Sequence, residues 1–253
     1  MRLLLTNDDG YGSDGLEALA CRLSADNEIY ILAPDRNRSA VSHCVTMDRP
    51  LDVYAAGERR WKSSGFPADC SMAGLKSGLL GIRPDAVVSG INRGANMGTD
   101  ILYSGTCAAA RQAVLYGIPA VALSLDPVDW DSALRDGFRY SALADFAARN
   151  LEKLVSLSAV TGRRTFVNVN AVSSDSYRGA RMCGSLCVRE YNDGIEVEDC
   201  GESCRTVFRY GTTETLADED SDFAVCRAGY VAVSSVFVDP VCAPPVDGME
   251  FSL

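Results

Sequence analysis

Near its start the chain reads Thr6-Asn7-Asp8-Asp9-Gly10, two adjacent carboxylates directly after the apolar run Leu3-Leu4-Leu5. Neighbouring carboxylates repel each other unless a cation is close. Two more polar loops also follow apolar runs. Asn37-Arg38-Ser39 comes after the run from Glu28 to Ala33, and Gly90-Ile91-Asn92-Arg93-Gly94-Ala95-Asn96 comes after the run from Ala86 to Ser89. Carboxylate, amide and hydroxyl oxygens are hard ligands that suit Mg²⁺, Mn²⁺ or Ca²⁺ rather than zinc. Asp8, Asp9, Ser39 and Asn92 are therefore a candidate oxygen-only cation site. An Asp-Asp-Gly triplet alone reads as a surface turn; three such loops at three strand ends favour the site.

A second element of chemistry is Tyr103-Ser104-Gly105-Thr106, immediately ahead of an alanine-rich stretch of helical character. A helix N-terminus offers free N–H groups and a positive dipole, which bind phosphate. Ser104 and Thr106 add hydroxyls, and Gly105 lets the backbone come close. The simpler alternative is N-capping by Ser or Thr. A cation site beside a phosphate cradle points to phosphoryl chemistry.

For these loops to meet, the elements between them must converge. Arg2–Thr6, Glu28–Ala33, Ala86–Ser89, Ala120–Ser124 and Phe166–Asn170 read as buried strands. Between them lie helical patterns: Leu16, Leu19, Ala20 and Leu23 after a possible Asp14 cap, Met72, Leu75 and Leu79 after a possible Asp69 cap, Thr106–Tyr116, and one long or broken helix over Ser132–Leu157. Alternating strands and helices predict a doubly wound, Rossmann-like α/β fold with a mostly parallel sheet. Such sheets bind ligands beyond the carboxyl ends of their strands, where all these loops fall. The expected division is a catalytic core over 1–172 and a β-rich arm over 173–253 that is not an independent domain. Within that arm, Ser185–Tyr191 and Ile195–Glu198 read as a hairpin around Asn192-Asp193-Gly194.

Composition narrows the class. The 253 residues are 47% hydrophobic and 23% charged, which argues against disorder. No apolar run is long enough for a transmembrane helix, and three leucines before a paired acid are too few for a signal peptide. With 24 bases against 34 acids, a basic footprint for nucleic acid is absent. Eleven acids and two bases fall between Glu190 and Asp222, so the acidity is local and reads as a solvated surface. Ten cysteines without an export signal read as reduced thiols in the cytoplasm. The pairs Cys183/Cys187 and Cys200/Cys204 look like metal pairs, but in strands their members are about 13 Å apart, too far to share one zinc. His43, the sole histidine, reads as a bystander rather than a general acid. Trp61 and Trp130 read as packing residues rather than base-stacking platforms.

Several blocks, in this order, resemble the SurE family of stationary-phase survival proteins: Thr6–Tyr11, Ala33–Ser39, Pro67–Cys70, Val88–Asn96, Tyr103–Thr106 and Gly117–Ala122. The likeness runs from Met1 to about Val172 and returns weakly over Asp222–Val231. Departures include Gly12–Leu16, His43-Cys44 and Gln112-Ala113, and none touches the cation residues. The resemblance implies a divalent-metal-dependent 5′/3′-nucleotidase, with side activity on other phosphate esters or short polyphosphate. It implies one Mg²⁺ or Mn²⁺ per subunit at Asp8, Asp9, Ser39 and Asn92, with Ca²⁺ as a possible crystal substitute. It also implies phosphate held by Asn96, Ser104, Gly105 and Thr106, and a homodimer or homotetramer assembled through C-terminal arms. The expected partner is a nucleoside monophosphate, with neither nucleic-acid polymer nor membrane. Asp8 and Asp9 are the expected catalytic residues, with direct attack by water. The alternatives are a Mg²⁺-binding receiver-like signalling domain and a phosphate-binding protein without turnover. A receiver needs a phosphoacceptor Asp at a later strand end and a following Lys. Asp85 precedes its strand and Ser124-Leu125 supplies no Lys.

Overall fold

A computed structural model describes residues 1–242. In chain order its elements are β1 (Arg2–Thr6), α1 (Asp14–Leu23), β2 (Glu28–Pro34), β3 (Val53–Gly57), β4 (Arg60–Ser63), α2 (Pro67–Lys76) and β5 (Ala86–Arg93). A 3-10 turn (Gly98–Leu102) leads into α3 (Gly105–Leu115), β6 (Ala120–Asp126), α4 (Trp130–Asp136), α5 (Ser141–Leu157) and β7 (Thr165–Val172). Then come β8 (Ala180–Met182), β9 (Val188–Tyr191), β10 (Gly194–Asp199), β11 (Cys204–Arg209), β12 (Thr213–Leu216), α6 (Asp222–Arg227) and β13 (Val231–Phe237).

Nine strands form one sheet in the order β3-β4-β2-β1-β5-β6-β7-β13-β8. The stretch from β4 through β7 is parallel throughout. From β1 the chain winds outward to β2 and β4, then returns to β5 on β1's other flank. The order therefore reverses between β1 and β5, the crevice where doubly wound sheets bind ligands.

Each central strand is buried on both faces, and its alternation divides its side chains between two cores. Leu3 and Leu5 join α1 and α5 on one face, while Leu4 meets α2 and α3 on the other. The second face is lined by small residues, with Cys107, Ala110 and Ala113 of α3 wholly buried, so α3 lies close on the sheet. That closeness carries the start of α3 to the carboxyl ends of β1 and β5.

Local chemistry refines several sequence expectations. Ser13, not Asp14, occupies the N-cap of α1. Phe66 is the N-cap of α2, and Asp69 sits at the third helical position, where its Oδ2 accepts the Phe66 N–H at 2.9 Å. The helical stretch 132–157 breaks between α4 and α5, beginning at Gly137 with φ 84°. The expected hairpin around Asn192-Asp193-Gly194 is not formed. Instead β10 pairs with β11 across a turn at 200–203, and β9 pairs with β12. The result is a ribbon over 188–216, two strands wide, made of two successive antiparallel pairs whose residues are mostly exposed.

The sheet also continues past Val172. β13 pairs antiparallel with β7, β8 pairs with β13, and α6 packs Val225 and Cys226 against Met97 and Ala232. Among the described residues beyond Val172 the ribbon is the most exposed part, and its root β9 is tied to the body through Arg189 and Tyr191 on Asp100. Residues 243–253 of the expected arm lie outside the described residues.

Candidate active site

Asp8 and Asp9 follow β1, and Asn92 lies near the end of the neighbouring β5. The loop after β2 is tied to them by Arg38 N–H, which donates to Asp8 O at 2.7 Å. Next to it Ser39 is exposed at the rim, its own N–H capped by Asn37 Oδ1 at 2.7 Å. Asp9 Oδ2 accepts the Arg93 N–H at 2.9 Å, which pins the second carboxylate to the end of β5. Asn92 Nδ2 donates to Gly94 O at 2.9 Å, fixing the amide and leaving Oδ1 as its acceptor.

Asp8 is nearly inaccessible and held on both oxygens by one residue. Thr106 Oγ1 donates to Oδ1 at 2.6 Å and Thr106 N–H donates to Oδ2 at 3.1 Å. Burial pushes the Asp8 carboxyl up from 3.8 to about 6; the Thr106 hydroxyl pulls it down, and the Asp9 charge adds to the rise. Burial also raises Asp9, with Arg93 N–H and the Arg93 charge pulling the other way. Among the described residues no three His, Cys, Asp or Glu side chains converge. The candidate donors are two carboxylates with neutral oxygens. Their fit to a hard divalent cation rests on Asp8, a buried acid with a second acid directly beside it.

The start of α3 differs in detail from a free phosphate cradle. Ser104 Oγ accepts the Cys107 N–H at 3.0 Å as the helix N-cap. Thr106 spends both of its donors on Asp8. Gly105 stands between them, where an added Cβ would come within 2.9 Å of Asp8 Cβ and 3.0 Å of Asp8 Oδ2. Only glycine permits this approach. The helix start is thus built around Asp8 as much as around an anion.

Asn96 is buried opposite, and its surroundings went unread in the sequence. Its N–H donates to Asn170 Oδ1 at 2.9 Å, and its carbonyl accepts from Asn168 Nδ2 at 2.8 Å and Asn170 Nδ2 at 3.1 Å. Its own Nδ2 donates to Ser124 Oγ at 2.7 Å. Asn168 Oδ1 also receives the Cys107 thiol at 3.6 Å, so one β7 side chain braces both the Asn96 loop and the start of α3. The available sign was the pattern Phe166-Val167-Asn168-Val169-Asn170, two amides on one face of an otherwise apolar strand.

Two other segments complete the frame. Asp222 accepts Gly98 N–H at 2.8 Å and Cys187 N–H at 2.9 Å, joining the 3-10 turn to the root of the ribbon. His43 is engaged with α3: its Nε2 is 2.8 Å from Gln112 Oε1, and burial lowers its pKa. A pocket of about 220 Å³ opens beside Asp9, lined by Ser13, Asp14, Asn37, Arg93 and Tyr140. A larger hollow, about 520 Å³, lies at the opposite ends of β1 and β2 around Arg2 and Asp85, remote from these groups.

The family model described as Survival protein SurE matches residues 3–192. The chain belongs to the SurE family. A relative from Treponema pallidum (strain Nichols), named 5′-nucleotidase SurE, is 49% identical over 186 residues, covering 72% of this chain and 95% of that protein. Another of the same name, from Gemmatimonas aurantiaca, is 38% identical over 247 residues and covers 94% of this chain and 93% of its own. The crystal structure of the SurE protein from Aquifex aeolicus superposes with a TM-score of 0.78 at 28% identity, covering 95% of each chain. That superposition extends past Val172, since it covers 95% of each chain.

Proposed function

We propose that this SurE chain is a divalent-cation-dependent nucleotidase that converts nucleoside monophosphates to nucleoside and phosphate. The observation that carries this reading is the buried Asp8 beside Asp9 at the crevice between β1 and β5. Two acids there favour a cation, and a cation there favours a phosphate ester. Asp8, Asp9, Asn92 and Ser39 would hold Mg²⁺ or Mn²⁺. Once bound, the cation neutralises the charge that builds on the phosphoryl oxygens. The other roles belong to the chain. The Gly105 N–H at the start of α3 orients the phosphate, and Asn96 Oδ1, an acceptor, orients the attacking water. Thr106 fixes the direction of Asp8. Asn168 and Asn170 keep Asn96 and the start of α3 at a constant separation. Arg93, exposed at the pocket rim, gives a cationic partner for the substrate.

The ribbon supports assembly. Ile195 and Phe208 are cross-strand partners, yet 69% and 52% exposed. A ribbon of two strands is marginal in water by itself. The reading is a homodimer or homotetramer joined through residues 188–216. All ten cysteines are free thiols, in keeping with a reducing cytoplasm. No helix among the described residues is long and apolar enough to cross a membrane.

Phosphate release from AMP with Mn²⁺ or Mg²⁺, repeated after EDTA, tests the function. Cation-dependent release supports it. Tight AMP binding without release would favour a non-catalytic phosphate-binding protein.

A further inference from the structure

The pocket beside Asp9 has an aromatic wall that the phosphate chemistry leaves unused. Tyr140 lines the pocket. The Phe138 ring stacks on Tyr140 with centroids 5.8 Å apart and planes at 15°. Trp130 meets Phe138 edge-on, again at 5.8 Å, with planes at 65°. The outer indole edge then reaches the end of β5. A Cβ placed on Gly94 would lie 3.4 Å from Trp130 Cη2 and Cζ2 and 3.8 Å from Asn92 Nδ2. The row of rings therefore runs from the pocket beside Asp9 to the candidate ligand Asn92.

Trp130 is held there, yet it is not buried there. It is the first residue of α4, whose N-cap Asp129 accepts the N–H groups of Asp131 and Ser132. The connection from β6 reaches that cap through Val128, whose φ of 64° is a left-handed conformation that a β-branched residue rarely adopts. Asp126 Oδ1 secures the same bend by accepting Val128 N–H at 3.0 Å. Despite this support, Trp130 stays 48% exposed. A large indole fixed in place, half open to water and next to a phosphate-ester site offers a face for a flat apolar ring. The packing role read for Trp130 in the sequence accounts for the contact with Phe138 but not for the open half.

We propose that Trp130, backed by Phe138 and Tyr140, is the nucleobase platform of this protein. The base of a nucleoside monophosphate stacks on the indole, while its phosphate lies between Asn96 and the start of α3. Arg93 and Asn37, on the polar side of the pocket, face the sugar and the edge of the base. The inference rests on the nucleotidase reading and adds the residue that tells a nucleotide from a simple phosphate ester. Stacking is tolerant of sequence because every base has a π-face. The platform therefore favours the larger purines without demanding one of them.

Two measurements on the intact protein test it. The first compares kcat/KM for AMP and for ribose 5-phosphate in wild type, Trp130→Ala and Trp130→Phe. The AMP-to-ribose-5-phosphate ratio is expected to fall roughly tenfold in Trp130→Ala and to recover most of the way in Trp130→Phe. An unchanged ratio, with AMP turnover intact or with both substrates reduced by one factor, overturns the platform while leaving the nucleotidase standing. Failure of wild type to release phosphate from AMP is the separate failure of the functional reading. The second uses Trp61→Phe, in which Trp130 is the sole tryptophan, titrated with adenosine and with ribose. Fluorescence quenching by adenosine but not by ribose is the expected result. Equal responses, or none from adenosine, would overturn the proposal without reference to catalysis.

Discussion

Asp8→Asn is expected to destroy activity and at the same time stabilise the cation-free protein. Asp8 lies 3% exposed, so its ionised form has lost its water. Folding raises its carboxyl from 3.8 to about 6. At 1.36 kcal/mol per pH unit, that rise corresponds to about 3 kcal/mol of unfavourable charge burial once the group is fully ionised. The folded-state value is above the unfolded one, so folding favours the protonated acid. The stabilisation is complete below about pH 3.8 and is lost as pH rises through about 6. An asparagine removes the charge but keeps the contacts, since its carbonyl can accept the Thr106 N–H and its amide can donate to Thr106 Oγ1.

Urea denaturation of wild type and Asp8→Asn in EDTA, at pH 5 and at pH 8, checks this. The variant's advantage should grow by about 1.5 kcal/mol between the two, since about half of the linkage falls in that window. Saturating Mn²⁺ should then reverse the order. A cation that binds only the folded wild type stabilises it by mass action, and the variant has lost a ligand. A variant less stable than wild type at pH 8 in EDTA, or an advantage that does not change with pH, would refute the account of Asp8 as an unneutralised buried charge.

Thr106→Val removes the 2.6 Å hydroxyl bond to Asp8 and is expected to weaken activation by Mn²⁺ at least tenfold, with Thr106→Ser restoring it, as read by phosphate release across a cation titration. Asn170→Leu strands the Asn96 N–H in a buried setting and should cost about 1–3 kcal/mol in urea denaturation, together with a loss of kcat/KM on AMP. Ile195→Glu combined with Phe208→Glu places like charges on directly paired ribbon positions and should convert the oligomer to monomer by light scattering at micromolar concentration.

Most of the fold could be read from alternation between strand and helix, because the parallel strands are buried on both faces and so appear as unbroken apolar runs. The three polar loops that follow those runs mark the crevice for the same reason: at a strand's carboxyl end the apolar requirement stops. The ribbon was legible as β structure but not in its pairing. Asn192-Asp193-Gly194 carries the chemistry of a tight turn, yet Cys200-Gly201-Glu202-Ser203 turns the chain, with Asp199 Oδ1 accepting Gly201 N–H at 2.9 Å. Nothing local distinguishes the two turns; the distinction lies in Arg189 and Tyr191, which reach back to Asp100 and hold β9 against the body. Asn168 and Asn170 were illegible for a related reason. Their partners are backbone atoms of Asn96, more than seventy positions away. Only their presence in an apolar strand hints that something buried must satisfy them.

The arrangement around Asp8 also bears on what attacks phosphorus. A carboxylate acting as nucleophile must turn a free lone pair along the axis opposite the leaving oxygen. Asp8 has little freedom to do so: each oxygen accepts a hydrogen bond from Thr106, and Gly105 packs within van der Waals reach of its Cβ. Asp9 keeps one oxygen free of Arg93 N–H, but in the proposed site its charge would help to hold the cation. Water suffers neither restriction. In the proposed reaction its oxygen forms the new bond to phosphorus as the ester bond breaks, and its proton passes to solvent or to the departing alkoxide. A single displacement of this kind inverts phosphorus, whereas an aspartyl-phosphate route inverts twice and returns the original configuration. Hydrolysis of an isotopically chiral AMP thiophosphate should therefore give inverted thiophosphate. Net retention, or a phosphate label trapped on Asp9 by rapid denaturation, would mean that Asp9 leaves the cation during turnover, and the cation would then depend on Asp8, Asn92 and Ser39 alone.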